Sequence, residues 1–243
     1  MTSFQTVTSR RLHEQVLNAL VESIVAEKFG SGDSLPSEAE MCEVYGVSRS
    51  SVREALRVLA EKGLIEVRHG LGTRVNPPER WDFMDPLVLS ARRKNGAMES
   101  VFDDLHEARR IVECEVAALA ANRASEDDHK RLAITLDELR DAVADPVAFA
   151  DTAYAFHRIL FESTGNRVLL RMAAPIREVL AYTIQVAAST PGAFEQGVAE
   201  REAIRRAIVA RDVDGARRAM SAHLDRLHNT VRSGTNGASK HAL

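Results

Sequence analysis

Three arginines spaced four residues apart, Arg49, Arg53 and Arg57, lie in the run Ser48-Arg-Ser-Ser-Val-Arg-Glu-Ala-Leu-Arg57. On a helix that spacing puts them on one face. A guanidinium can bridge O6 and N7 of a guanine, worth about 1–3 kcal/mol of discrimination against another base. The short side chains of Ser50 and Ser51 let a phosphate approach the amides of a helix N-terminus. A second polar cluster, Arg68-His69-Gly70, opens a turn that also contains Leu71 and Gly72. Its glycines permit positive φ and close approach to a narrow surface, and Arg68 and His69 can enter a minor groove or hold phosphates. The expected DNA contacts are therefore Arg49, Ser50, Ser51, Arg53, Arg68, His69 and Gly70, with Arg57 facing backbone or solvent.

The elements that must position these groups are legible around them. Ser37-Glu-Ala-Glu40 fits a capping box, predicting a helix from Glu38 to about Tyr45 with Met41 and Val44 inward. Gly46 stops it in a left-handed conformation. Ser48 caps a second helix reaching about Lys62, with Val52, Ala55, Leu56 and Leu59 as its apolar stripe. Leu64–Val67 and Thr73–Val75 are short strands around the glycine turn. An amphipathic helix from Arg10 to about Phe29, with Leu12, Val16, Leu20, Ile24 and Val25 on one side, precedes them. Together these make a winged helix–turn–helix, whose second helix enters the major groove.

The residues Leu35-Pro-Ser-Glu38, Ser48-Arg-Ser-Ser-Val-Arg-Glu-Ala-Leu56 and Gly70-Leu-Gly-Thr73 resemble the GntR family of bacterial transcription regulators over roughly residues 10–76. The resemblance implies DNA contacts at Arg49, Arg53, His69 and Gly70. Some members, the fatty-acid-responsive branch among them, carry an Arg where this chain has Ala39, so no operator sequence is carried over.

Composition fits a local DNA footprint. The 243-residue chain has a formal net charge of −3, which excludes a basic nucleic-acid coat. Residues 48–74 nevertheless hold six Lys/Arg against three Glu. Cys42 and Cys114, on different domains, argue against a disulfide framework or a cysteine zinc site. There is no signal-peptide run and no stretch of the ~20 apolar residues that span a bilayer, so a cytoplasmic location is expected.

After the wing, Asn76-Pro-Pro-Glu-Arg80 breaks secondary structure, and Trp81-Asp-Phe-Met-Asp-Pro86 starts a new unit whose aromatic residues pack the linker onto the second domain. Only helical periodicity follows, with helices expected at about 86–94, 98–123, 126–143, 146–164, 167–188, 195–210 and 213–231. The fold class is thus mainly α: a DNA-binding domain at 8–76, a linker at 77–85, an antiparallel helical bundle at 86–232 for effector binding and dimerisation, and a disordered tail at 233–243.

The bundle resembles the all-α FCD ligand-binding domain of FadR-type members. Glu107-Ala-Arg-Arg-Ile-Val-Glu113 fits the opening helix, Phe156-His157 with Ser163-Thr-Gly-Asn166 the middle, and Ala222-His-Leu224 the last helix. Trp81 to Leu89 looks most like members that respond to sugar acids. Many such domains hold a divalent metal with one Asp and three His. Here His157 and His223 match two positions, but Ala153 and Arg201 replace the other ligands, and Asp151 lies at the wrong spacing. A metal at His157 and His223 is therefore disfavoured, and no cofactor is expected. Instead Arg201 is expected to supply the positive charge in place of the ion, gripping a carboxylate effector together with Arg109, while His157 and His223 donate hydrogen bonds. A plain surface position on its helix is the competing expectation for Arg201.

The function implied is a ligand-responsive, DNA-binding transcription regulator, a repressor rather than an activator, acting as a homodimer on double-stranded operator DNA. One alternative is an enzyme with a DNA-targeting module, although no nucleophile–base spacing, phosphate loop or complete metal cage supports it. Another is an architectural DNA-binding protein without an effector.

Overall fold

The computed structural model describes residues 8–68 and 72–239, with side chains described for 12–68 and 72–233. Contacts divide the chain between Ala97 and Met98 into two compact units.

The first unit opens with α1 (Thr8–Val25). Val16, Leu17, Leu20, Val21, Ile24 and Val25 bury one stripe of it. Each such side chain contributes about 1.5–3 kcal/mol when fully withdrawn from water. The helix stops four residues before the expected Phe29, where Glu27 turns to a φ of 57°. Leu12, expected inward, is exposed. A capping box of Ser37 and Glu40 starts α2 (Glu38–Tyr45), and Gly46 ends it at a φ of 64°. Met41 faces the core, but Val44 is 77% exposed and does not. Ser48 caps α3 (Arg49–Glu61), which buries Val52, Ala55, Leu56 and Leu59 against α1. Strands β1 (Ile65–Arg68) and β2 (Gly72–Val75) pair antiparallel, Ile65 opposite Val75 and Arg68 opposite Gly72. The segment before α2 adds an irregular third edge: the Leu35 amide donates to Thr73 O at 2.9 Å, and the Val75 amide to Asp33 O at 3.0 Å.

The segment after the wing departs from expectation. It folds back onto the first unit instead of opening the second. Trp81 is buried there and donates through Nε1 to Asn76 O at 3.0 Å. The Asp82 amide donates to Lys62 O at 2.9 Å, and Lys62 pairs with Asp85. The close approach explains Gly63, whose φ is +73° and where a Cβ would stand 2.0 Å from Arg80 O. Asp85 caps α4 (Pro86–Lys94), which packs on α1 and adds Val88 and Ala91 to the core of the first unit. Arg92 lies over Trp81 and Phe83.

The second unit is all helical: α5 (Glu99–Arg123), α6 (Glu126–Asp141), α7 (Pro146–Ser163), α8 (Arg167–Arg171), α9 (Ile176–Ala187), α10 (Ala193–Val209) and α11 (Val213–Ser239). The expected single helix over 167–188 is broken into α8 and α9. Pro175 stands at the break, because it has no amide to continue the ladder and disfavours helix in the residue before it. The last helix also runs on to Ser239, through residues expected to be disordered. α5 and α11 run antiparallel: Arg217 and Glu115 pair at one end of their contact at 2.6 Å, His228 and Asp103 at the other at 2.7 Å. Buried Ala117, Ala120 and Ala121 on α5 join Leu132, Leu136, Phe156, Leu160, Leu180, Ile204, Met220 and Leu224 in one core. α7, α10 and α11 surround α5, and this brings one polar residue after another into that core.

Candidate functional site

Two regions carry the expected chemistry. In the first unit, the α3 cap organises the reading end. Ser48 Oγ accepts from the Ser51 amide at 3.3 Å and lies 2.8 Å from Ser50 Oγ and 3.1 Å from Ser51 Oγ. Arg49 and Ser50 are exposed, whereas Ser51 is buried and serves the cap, not the surface. Arg53 is exposed and pairs through Nε with Glu38 on α2 at 2.8 Å, which ties the two helices at the reading face. Arg57 is held by Glu54 and Glu61 of its own helix. Arg68 is exposed and lies 3.1 Å from Glu66. The expected contacts of His69 and Gly70 lie outside the described residues.

In the second unit, Arg109, His157, Arg201 and His223 are all buried, and the structure brings them together. Arg109 sits on α5, one turn before Glu113. Its Nε donates to Glu113 Oε1 at 2.5 Å. The other oxygen of Glu113 lies 2.5 Å from His157 Nδ1 on α7. On the facing side, His223 Nδ1 of α11 lies 2.8 Å from Glu200 Oε2 of α10, and Arg226 pairs with the same carboxylate. The two imidazole centres are 5.6 Å apart. Arg201, 1% exposed, donates to Gly197 O of its own helix at 3.0 Å and lies 5.9 Å from the Phe149 ring centre, so the surface position is overturned. A side chain at 197 would crowd the guanidinium, since a Cβ there would stand 3.3 Å from Arg201 Nη1.

The electrostatics follow from this packing. Burial opposes charge on Glu113, but Arg109 and His157 beside it hold its carboxyl down to about 2. Burial lowers His157, against the pull of Glu113, and lowers His223 well below the usual range with help from Arg201. Burial also lowers Arg201 to about 9, which leaves it a cation at neutral pH. Since each Nδ1 faces a carboxylate, of Glu113 or Glu200, it is the donor, and the proton of each neutral ring is there. Each Nε2 is therefore an acceptor, which reverses the expectation that the histidines donate to an effector. Among the described residues, four buried polar atoms of the cluster have no hydrogen-bond partner: Arg109 Nη2, Arg201 Nε, His157 Nε2 and His223 Nε2. Buried polar groups are ordinarily paired, so these four mark a candidate site for something bound.

That something is poorly matched to a metal ion. Two imidazoles with carboxylates behind them would suit one. But the third position is a buried guanidinium, the fourth is Ala153, and Asp151 is exposed and paired with Arg177. Among the described residues no cluster of three or more His, Cys, Asp or Glu could hold one. Reasoning from sequence missed Glu113, Glu200, Arg226, Phe149 and Gly197. The only forward signal was spacing, with Glu113 one turn after Arg109 and Gly197 one turn before Arg201.

A winged helix–turn–helix joined to a helical unit with a buried polar cluster defines a DNA-binding regulator with a sensing domain. The sequence matches the description "Bacterial regulatory proteins, gntR family" over residues 12–75 and the FCD domain over residues 104–226. It is 31% identical over 163 residues to the galactonate operon transcriptional repressor of Escherichia coli (strain K12), covering 67% of this chain and 71% of that protein. It is 30% identical over 230 residues to the HTH-type transcriptional repressor NanR of Cronobacter sakazakii, covering 91% and 85%. Among solved structures, Lar, which controls the agr system of Listeria monocytogenes, shares the fold at a TM-score of 0.65 and 18% identity, covering 96% of this chain and 99% of that one. This chain belongs to the GntR family of transcription regulators, with a C-terminal FCD domain. The relatives named here are transcription regulators. No helix among the described residues is long and apolar enough to cross a membrane.

Proposed function

We propose that this regulator is a cytoplasmic, homodimeric repressor of a metabolic operon, released from its operator by a small carboxylate. The observation that carries the effector half is the buried cluster itself: two arginines with unpartnered nitrogens among imidazoles that burial keeps neutral. A carboxylate matches the planar, multi-donor guanidinium better than any neutral group does. A relative named for the galactonate operon supports a sugar acid as the class.

On the DNA side, Arg49, Ser50 and Arg53 face the major groove, and the wing, with Arg68, His69 and Gly70 as its expected contacts, enters a minor groove or holds phosphates. Ser51 acts through the cap it makes with Ser48. A dimer reads a palindrome whose half-sites are about one turn of DNA apart, about 10 base pairs. An effector lowers operator affinity to the extent that it binds the released conformation more tightly.

A gel-shift on the intergenic DNA beside the gene, with a panel of sugar acids and short carboxylates, tests this. Retention of the DNA and its release by one member is the expected result. Retention that no carboxylate alters would instead make the protein architectural.

A further inference from the structure

The polar cluster of the second unit is sealed. His157 and His223 are fully buried, Arg201 is 1% exposed, and Arg109 is buried beside them. A solute that reaches their unpartnered nitrogens has to pass between helices, so part of the wall has to move. The helix starts that form this wall differ in how firmly they are held.

The start of α7 is fixed. Pro146 opens it, and the Asp145 carboxylate accepts from the Val147 amide at 2.9 Å and from the Ala148 amide at 3.2 Å. Such a cap satisfies amides that a helix start otherwise leaves open. The start of α10 is looser. Its capping position is Gly192, at a φ of 74°, and no side chain caps the helix there. The turn before it, residues 188–192, is exposed. About one turn into α10 stands Gly197, and glycine weakens a helix interior relative to alanine. Phe194 lies between these two glycines.

The half-buried Phe194 ring stacks on Phe149, near the start of α7, with centres 4.6 Å apart and planes 13° apart. Phe149 in turn covers the Arg201 guanidinium, and a Cβ at position 197 would stand 3.6 Å from its Cζ. The stack therefore closes the seam between α7 and α10 beside the cluster. It parts without breaking a hydrogen bond. α10 as a whole is held by α5, α6 and α11, so its first turn can move while the helix stays in the bundle.

We infer that residues 193–197 are a gate to the cluster. The turn swings on Gly192 and Gly197, takes Phe194 off Phe149, and opens a path to Arg201 and the two imidazoles. Closed, the stack keeps water out, which strengthens every electrostatic contact inside. The gate rests on the reading of the cluster as the effector site.

Diethyl pyrocarbonate tests the gate without any carboxylate ligand. An unprotonated imidazole nitrogen attacks one of its carbonyl carbons, a carbethoxy group stays on the ring, and ethyl carbonate leaves. Mass spectrometry of peptides from the full chain, labelled at neutral pH, follows each histidine, with the partly buried His13 of the first unit as internal reference. In the wild type, His157 and His223 label far more slowly than His13. Phe194→Ala speeds both by about tenfold or more relative to His13, as expected for a locally opened path. Leu136→Ala, a truncation of the core on α6, does not. Equal acceleration in Leu136→Ala means that the reagent enters by general loosening of the unit and overturns the gate, as does unchanged labelling in Phe194→Ala. If Phe194→Ala does not fold, hydrogen exchange of the wild type decides. Amides 195–198 then exchange through a local opening that low denaturant leaves unchanged, while amides 156–160 of α7 exchange as denaturant unfolds the unit. The same denaturant dependence in both segments overturns the gate. The carboxylate reading is decided separately, by the operator gel-shift.

Discussion

Arg201 is the residue on which most turns, because its burial is only partly offset by the bond to Gly197 O and the Phe149 ring. Its Nε has no partner, and burial lowers its pKa to about 9. Replacing a poorly compensated buried charge with an apolar side chain of similar length is often stabilising, by about 1–4 kcal/mol. Arg201→Met is therefore expected to raise the melting temperature of the effector-free protein while abolishing the thermal shift given by the effector. A residue with a purely structural role would show a fall in melting temperature instead.

The titrating groups of the cluster give a second prediction. His157 and His223 have lowered folded pKa values, so their contribution is complete above the unfolded value of about 6.5 and declines as pH falls below it. Glu113, held at about 2, contributes stability above about 4.5 that is lost as pH drops toward 2. In all three cases the unfolded chain binds more protons, so stability rises with pH. Melting curves between pH 8 and pH 3 should show a decline starting near 6.5 and steepening below 4.5. Glu113→Gln should make the part below 4.5 shallower, with Glu202, also held at about 2, keeping some of it. Arg109, His157, Arg201 and His223 were legible because a family pattern marks their positions. Glu113 and Glu200 were not, since no local rule says which of many helical carboxylates will face an imidazole on another helix.

At the level of elements, the reading helix makes a graded prediction. Arg49 is exposed in the first turn of α3, while Arg57 is bound to Glu54 and Glu61. Arg49→Ala should weaken specific operator binding by about 1–3 kcal/mol, roughly fivefold to 150-fold. Arg57→Ala should stay within about 0.5 kcal/mol, since exposed ion pairs of this kind are worth little. Fluorescence anisotropy with one labelled operator compares them.

The helices of the first unit were legible in the sequence because their ends carry local chemistry: the Ser37–Glu40 box, Gly46 and Ser48. Helix type at residues 167–188 was legible too, but not the break at Pro175, which periodicity passes over. Val44 and Leu12 misled for a related reason. A stripe can be read from apolar spacing, yet its edges depend on which neighbour packs there, and both of these side chains are exposed.

For the whole molecule, the boundary between the units was placed wrongly from sequence. Two prolines and polar residues at 77–80 have the composition of a linker, but composition does not show what a segment packs against. Trp81, Val88 and Ala91 supply the apolar surface that attaches it to the first unit. A fragment ending at Ala97 should therefore unfold cooperatively at a higher temperature than one ending at Asp85, as circular dichroism would show. Equal melting of the two fragments would mean that α4 adds nothing to the DNA-binding unit.

The proposed function joins the units through control of DNA binding by a carboxylate held on arginine. The most direct test is anisotropy of labelled operator DNA titrated with the effector, on protein before and after exhaustive chelation. Release from the operator at the same effector concentration in both samples is the predicted result. Release that disappears on chelation and returns with Zn²⁺ or Ni²⁺ would contradict the account, because an ion and not Arg201 would then be holding the carboxylate.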